Sequence, residues 1–213
     1  MTSPRCITLF HSPNTRSTGV LTLLEELDVP YELHILNMKA GEQRQPAFLA
    51  VNPLGKVPAL MDNDTLVTEQ VAIFIHLADL FPQAGLAPML DDPQRGAYLR
   101  WLVYYAATFE PALTDRFLER TPADPMQTSY GDFDTMLDVL EAQLATSPYL
   151  LGEAISAADV LWGVALGWVL AFGLVPPRPV LVQYAARVNE RPAAKRVAER
   201  DAALAREHEA AIQ

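Results

Sequence analysis

The stretch Asn52-Pro53-Leu54-Gly55-Lys56-Val57-Pro58-Ala59-Leu60 constrains the fold of this chain more than any other. Two prolines and a glycine rule out a helix there, while Ala59-Leu60 begins a short apolar strand, so Val57-Pro58 must be a tight corner entering a sheet. Such a corner leaves the Val57 main chain unpaired. The strand runs into the turn-rich Asp62-Asn63-Asp64-Thr65, returns through Leu66-Val67 and opens a helix at Thr68, so corner and helix start can frame one ligand site. The Val57 main chain suits a peptide-like ligand, and Glu69 at the helix start suits its ammonium group.

Around this corner the first half of the chain alternates strand and helix. Strands are expected at Arg5 to Phe10, Tyr31 to Ile35, Val57 to Met61 and Thr65 to Val67, with helices at Arg16 to Leu27, Gln45 to Val51 and Glu69 to Phe81. From Asp91 onward the pattern is helical. Ser156-Ala157-Ala158-Asp159 reads as a capping box, in which Ser156 caps a helix and Asp159 reaches back to it. The uncharged run Val160 to Val175 carries Gly163, Gly167 and Gly173 and ends at Pro176-Pro177, short of the roughly 20 apolar residues of a membrane span. It reads as a buried central helix whose glycines admit close neighbours, with Trp162 and Trp168 filling gaps.

Taken in order, the Val-Pro corner, the Glu69 helix start and the Ser156–Asp159 box make the chain resemble the glutathione S-transferase family over nearly its whole length. The resemblance implies an α/β thioredoxin-like N-terminal domain at residues 1–81 and an all-α C-terminal domain at residues 91–213. It also implies a cis Val57-Pro58 bond and glutathione as co-substrate with no metal. The Val57 main chain and Pro58 would hold the peptide backbone, and Glu69 the γ-glutamyl ammonium. Gln70 stands where the family usually has serine, so its amide would substitute for the missing hydroxyl at the γ-glutamyl carboxylate.

Charge supports an anionic ligand in the first domain. Residues 1–80 carry five cations against nine acids, and four of those cations flank the expected ligand loops. Lys39, Arg44 and Lys56 would hold the glycine end of glutathione. The net charge of −10 argues against nucleic acid and anionic membranes as partners, since both require clustered Lys and Arg. The single cysteine, Cys6, permits no internal disulfide, and without a basic-then-apolar leader before the first strand the chain is expected to be cytoplasmic.

Chemistry is expected in the loop His11-Ser12-Pro13-Asn14-Thr15-Arg16-Ser17, at the positive end of the first helix. The loop has no cysteine, which excludes dithiol and mixed-disulfide chemistry there. Ser12-Pro13-Asn14 is similar to the Thr-Pro-Asn of nu-class bacterial enzymes, so Ser12 with Asn14 is the favoured donor pair to a thiolate. Thr15 is a further hydroxyl, and Arg16 falls where beta-class enzymes have cysteine. Asn14 and Ser17 are also natural helix-cap residues, and His11 reads as a loop or cleft-lining side chain.

In the second half, Tyr98, Trp101, Leu102, Tyr105, Phe109, Leu113 and Phe117 recur at steps of three and four and mark one apolar helix face, which Pro111 should bend about one turn earlier. Tyr104, Tyr105 and Phe109, with Phe10, His11 and Trp168 as further walls, are the expected lining of a pocket for a hydrophobic electrophile. The resemblance thus implies a detoxification-type glutathione transferase. Its alternatives are a nu-like glutathione-dependent peroxide or disulfide reductase and a non-catalytic ligand-binding protein of the same fold. A homodimer is expected, because the helix from Glu69 to Phe81 is apolar on more than one face and Arg95, Tyr98 and Arg100 can supply a partner surface.

Overall fold

The computed structural model describes residues 5–120 and 124–212. The chain divides into two compact units, one running up to Ala84 and joined by everything from Arg191 onward, the other spanning Gly85–Glu190. The expected division at residues 81 and 91 followed chain order, whereas the last helix groups with the first unit.

In the first unit, strand β1 (Ile7–His11) alternates buried and half-buried residues, the period of a strand covered on one face. It is flanked by β2 (Glu32–Ile35) on one side and β3 (Ala59–Asp62) on the other, with β4 (Thr65–Val67) at the far edge, giving the order β2-β1-β3-β4. The β1–β2 pair is parallel and the other two are antiparallel. Helix α1 (Ser17–Leu27) makes the crossover between the parallel strands and buries Val20, Leu21, Leu23 and Leu24. A one-turn α2 (Pro46–Leu49) precedes the corner, and α3 (Gln70–Leu80) follows the hairpin and buries Ile73, Phe74, Leu77 and Ala78. The alternation of strand and helix expected from the sequence is present.

The returning helix α9 (Pro192–Ala210) packs on α1 through Ala193, Ala194, Val197 and Asp201, the buried stripe of an otherwise polar helix. Arg191, just before it, donates two hydrogen bonds to Glu26 at 2.7 and 2.6 Å, a bidentate pair that fixes its entry. Arg196 donates to Glu25 at 2.9 Å. These contacts explain why the last helix leaves the unit that its chain position suggests.

The described secondary structure of the second unit is helical apart from one isolated bridge, Tyr149 to Gly152. Helix α4 (Arg95–Tyr104) passes through a π-helical turn at Tyr105–Phe109 into α5 (Glu110–Phe117), and α6 (Phe133–Leu144), α7 (Ala157–Ala171) and α8 (Pro179–Asn189) follow. The π turn lies one turn before Pro111, where the missing N–H and the ring disturb the ladder. Helix α7 is the buried central helix, and α8 crosses it closely: a Cβ on Gly163 would sit 2.3 Å from the Val188 side chain. The capping box is present, with Asp159 accepting from the Ser156 main chain and hydroxyl at 2.8 and 2.7 Å. Its other oxygen takes Leu150 N–H and Tyr184 O–H, both at 2.8 Å. Burial pushes the Asp159 carboxyl up despite these donors. Trp162 is fully buried, but Trp168, expected to fill a gap beside it, is 45% exposed and stacks with Phe172 at 4.8 Å.

Candidate functional site

Three loops converge at one end of the four-stranded sheet. In the antiparallel β1–β3 pair Phe10 faces Ala59, so the residues after β1 lie beside the Val57-Pro58 corner that precedes β3. The Val57-Pro58 peptide bond is cis, as the resemblance implied. Within the described residues no hydrogen bond engages either main-chain group of Val57. The approach to the corner is braced: Asn52 Nδ2 donates to Lys56 C=O at 2.8 Å and its Oδ1 accepts from Leu54 N–H at 3.1 Å. Gly55 has φ +61°, and a Cβ there would lie 2.7 Å from the Gln43 carbonyl, so only glycine fits.

The third loop is the start of α3. Glu69 holds φ +66° and ψ +116°, a conformation that non-glycine residues rarely adopt, and its exposed carboxylate has no ion pair among the described residues. Next to it, Gln70 Nε2 donates to Arg16 C=O at 2.9 Å and ties this helix start to the start of α1. Gln70 Oε1 is buried without a partner among the described residues. The amide nitrogen expected to meet a carboxylate gives one of its two hydrogens to Arg16.

The loop after β1 is organised around His11. Its imidazole is wholly buried, with Nε2 2.9 Å from Asp201 Oδ1 and Nδ1 2.8 Å from Ser17 Oγ. Ser17 Oγ lies 2.7 Å from Thr15 Oγ1 and accepts from Ser12 N–H at 3.1 Å. Thr15 Oγ1 donates to the Ser12 carbonyl at 2.7 Å and accepts Ser17 N–H at 3.2 Å, while Arg16, at the N-cap of α1, makes no side-chain cap bond. Asp201 Oδ2 accepts Thr18 O–H at 2.5 Å and Asn14 N–H at 3.3 Å. His11, expected to line a cleft, is instead the buried centre of this network. Ser12 is 3% exposed, Thr15 is half-buried, and Asn14 is exposed with a left-handed φ of 58°.

The remaining expected residues are placed as follows. Lys56 is exposed beside the corner and has no ion pair among the described residues, whereas Lys39 pairs with Glu209 of α9 and Arg44 donates to Leu54 C=O at 3.3 Å. Phe10, expected as a pocket wall, packs against Phe48 and His34 in a cluster with Leu36, Val57 and Ala59. Phe109 is fully buried and Tyr105 is 3% exposed, both against Trp162, so they form core of the helical unit and line no accessible cleft. Tyr104 is half-buried, its hydroxyl donating to Met136 C=O at 3.0 Å, and burial pushes that hydroxyl's ionisation up. Arg95 and Tyr98 are buried as well, which removes them from any partner surface; Arg100 stays exposed and lies over Trp101.

Residues 6–79 match the family model of the glutathione S-transferase N-terminal domain, and residues 111–187 that of the C-terminal domain. The glutathione S-transferase GstB of Escherichia coli K12 is 31% identical over 90% of this chain and 97% of its own length. The chain belongs to the glutathione S-transferase family. Among plant relatives, glutathione S-transferase F10 of Arabidopsis thaliana is 34% identical over 67% of this chain and 70% of its own. A sphingomonad glutathione S-transferase solved with glutathione superposes with a TM-score of 0.77 at 30% identity, covering 92% of this chain and 98% of that one. The glutathione transferase of Methylococcus capsulatus superposes at 0.80 with 28% identity, over 92% of this chain and 98% of the other.

What sequence reasoning missed in this member of the glutathione S-transferase family is Asp201. Ala194, Val197 and Asp201 share one stripe of a polar helix, so an acid stands where the pattern calls for an apolar residue. That mismatch was the available signal. Its partner, His11, lies 190 residues away in the chain.

Proposed function

We propose that this glutathione S-transferase family member holds glutathione along the Val57 main chain and at Glu69, and activates its thiol in the loop Ser12–Ser17 for attack on a hydrophobic electrophile. The observation that carries this reading is the meeting of the cis corner, the Glu69 helix start and the hydroxyl loop at one end of the sheet. Val57 offers the main-chain donor and acceptor that an extended tripeptide pairs with. The exposed Glu69 carboxylate suits the γ-glutamyl ammonium, while Lys56 is the cation in place for the glycine carboxylate.

At the thiol end, Thr15 is the hydroxyl best placed to meet sulfur, because Ser12 is nearly inaccessible. A thiol with a pKa of about 8.5 is roughly 3% ionised at pH 7, and lowering it by about two units raises the thiolate roughly 25-fold. Falling nucleophilicity along a Brønsted slope of about 0.4–0.5 cancels part of that gain, so positioning the electrophile must add the rest.

A thermal-shift titration tests the reading. Stabilisation by glutathione and by its S-methyl derivative is expected, setting in near Kd and growing by about 1.4 kcal/mol for each further tenfold rise in ligand. No shift with either compound would remove the site.

A further inference from the structure

We infer that Thr15, Ser17, His11 and Asp201 form an internal proton relay that takes the proton of the glutathione thiol. The inference rests on the glutathione-activating reading above. It adds a destination for the proton and gives the last helix a part in the reaction.

The direction of each hydrogen bond follows from chemistry. Asp201 accepts from Thr18 O–H and Asn14 N–H, so its carboxylate is held by donors, and His11 Nε2, 2.9 Å from Oδ1, carries the hydrogen on that side. A neutral imidazole then has its lone pair on Nδ1, which accepts the Ser17 hydroxyl proton across 2.8 Å. Thr15 O–H has two acceptors at 2.7 Å, the Ser12 carbonyl and Ser17 Oγ, and when turned toward Ser17 it completes the line. Thr15 Oγ1 is the half-buried end of the line and keeps a lone pair facing outward.

An Asp–His–Ser line invites comparison with a hydrolytic triad. Ser17 is wholly buried, so its oxygen cannot reach a substrate carbonyl, and attack by Ser17 is excluded. What the line can do is pass a proton. The thiol S–H bond breaks as an O–H bond forms at Thr15; the original Thr15 proton moves to Ser17 Oγ, and the Ser17 proton moves to His11 Nδ1. The electron pair stays on sulfur, and His11 becomes an imidazolium facing Asp201. Thr15 then presents its new O–H to the thiolate, while Ser17 keeps an oxygen for the His11 N–H and has the Ser12 carbonyl 3.1 Å away as an acceptor. One geometry serves both states without moving a heavy atom.

Proton counting separates this relay from simple donation to the thiolate, in which the proton leaves to solvent. Glutathione binding is measured by calorimetry at pH 7 in two buffers of different ionisation heat, with the thiolate followed by its ultraviolet absorbance and S-methylglutathione as the blank. The wild-type protein is expected to form thiolate while releasing well under half a proton per thiolate. In His11→Gln, whose amide can keep both hydrogen bonds but cannot hold the proton, thiolate should fall and whatever forms should release a full proton. Its kcat should drop by about 100-fold or more, with KM for glutathione held within about twofold, as expected for loss of a base rather than of binding. Asp201→Asn should shift the proton count in the same direction. A wild-type release of one proton per thiolate overturns the relay and leaves the glutathione site standing. Absence of binding by both glutathione and S-methylglutathione overturns the site and the relay with it.

Discussion

A glutamate at φ +66° is an expensive choice, of order 1–3 kcal/mol for a non-glycine residue, and Glu69 pays it at a helix start where its carboxylate meets no cation among the described residues. Replacing Glu69 with alanine is expected to weaken glutathione binding by about 10- to 100-fold, the loss of one charged hydrogen bond of about 1.5–3 kcal/mol. Glu69→Gly should bind as weakly yet unfold no more easily than wild type, because glycine accepts this backbone. Calorimetry with glutathione and a denaturant titration of both variants check this; unchanged affinity in both would place the ammonium elsewhere. A second expectation concerns the hydroxyls: Thr15→Ala should lower the thiolate absorbance of bound glutathione several-fold, and Ser12→Ala should not. The sequence showed that the loop holds hydroxyls and no cysteine. Which of them faces a ligand was not legible, because the exposure of Ser12 and Thr15 is fixed by Ser17, His11 and an aspartate 190 residues away from His11.

Elements read well where a signal is local. Ser156 and Asp159 announced their helix start and the glycines of α7 announced a close neighbour, while Pro111, expected to bend its helix, sits one turn after a π-helical stretch at Tyr105–Phe109. Gly163 gives that last reading an outcome. A methyl there would overlap the Val188 side chain at 2.3 Å, and Asn189 Nδ2, which donates to the Gly163 carbonyl at 2.7 Å, would move with it. Gly163→Ala is expected to destabilise the protein by about 1–3 kcal/mol, and Val188→Ala in the same chain should recover part of the loss, since the two sites share one contact. Additive losses in urea titrations would contradict the close crossing. The aromatic stripe of α4 and α5 was legible as a stripe, but not as core against pocket, because Trp162 of α7 decides which rings are covered. Helix α9 was illegible in another way: its docking on α1 rests on charged pairs that look like solvated surface. Burial pushes the Glu25 carboxyl up, but hydrogen bonds from Tyr31 and Arg196 and the charges of Arg196 and Arg200 outweigh it and hold it below its ordinary 4.5. A depressed carboxylate stabilises the fold above its unfolded value and loses that contribution as pH falls through the folded one. Glu25→Gln should therefore cost about 1 kcal/mol at pH 7 and nothing near pH 2, a difference that stability curves at the two pH values will show.

For the whole molecule, the open question is whether one chain is the working unit, and α3 carries the argument. Ile73, Phe74, Leu77 and Ala78 cover the sheet, while Ala72, Ile75, His76, Asp79 and Leu80 form a second stripe at steps of three and four, bordering a surface cavity of about 540 Å³. His76 is held there by Asp62, which also accepts from Arg5, so the polar part of the stripe is ordered before any partner arrives. An apolar stripe with fixed polar groups is the make-up of a two-fold contact between identical chains. Arg95 and Tyr98, expected to supply a partner surface from α4, are buried, which leaves the second stripe of α3 as the exposed apolar face for the proposed dimer. Light scattering at micromolar concentration is expected to give twice the single-chain mass of 23.5 kDa. Ala72→Glu puts a charge in the stripe at an exposed position that the first unit's core does not use, and should return the mass to one chain. Glutathione should still bind that variant, because Val57 and Glu69 belong to the same chain as each other and to no part of the stripe. A wild-type protein that scatters as one chain while binding glutathione would assign the second face of α3 a role other than self-association.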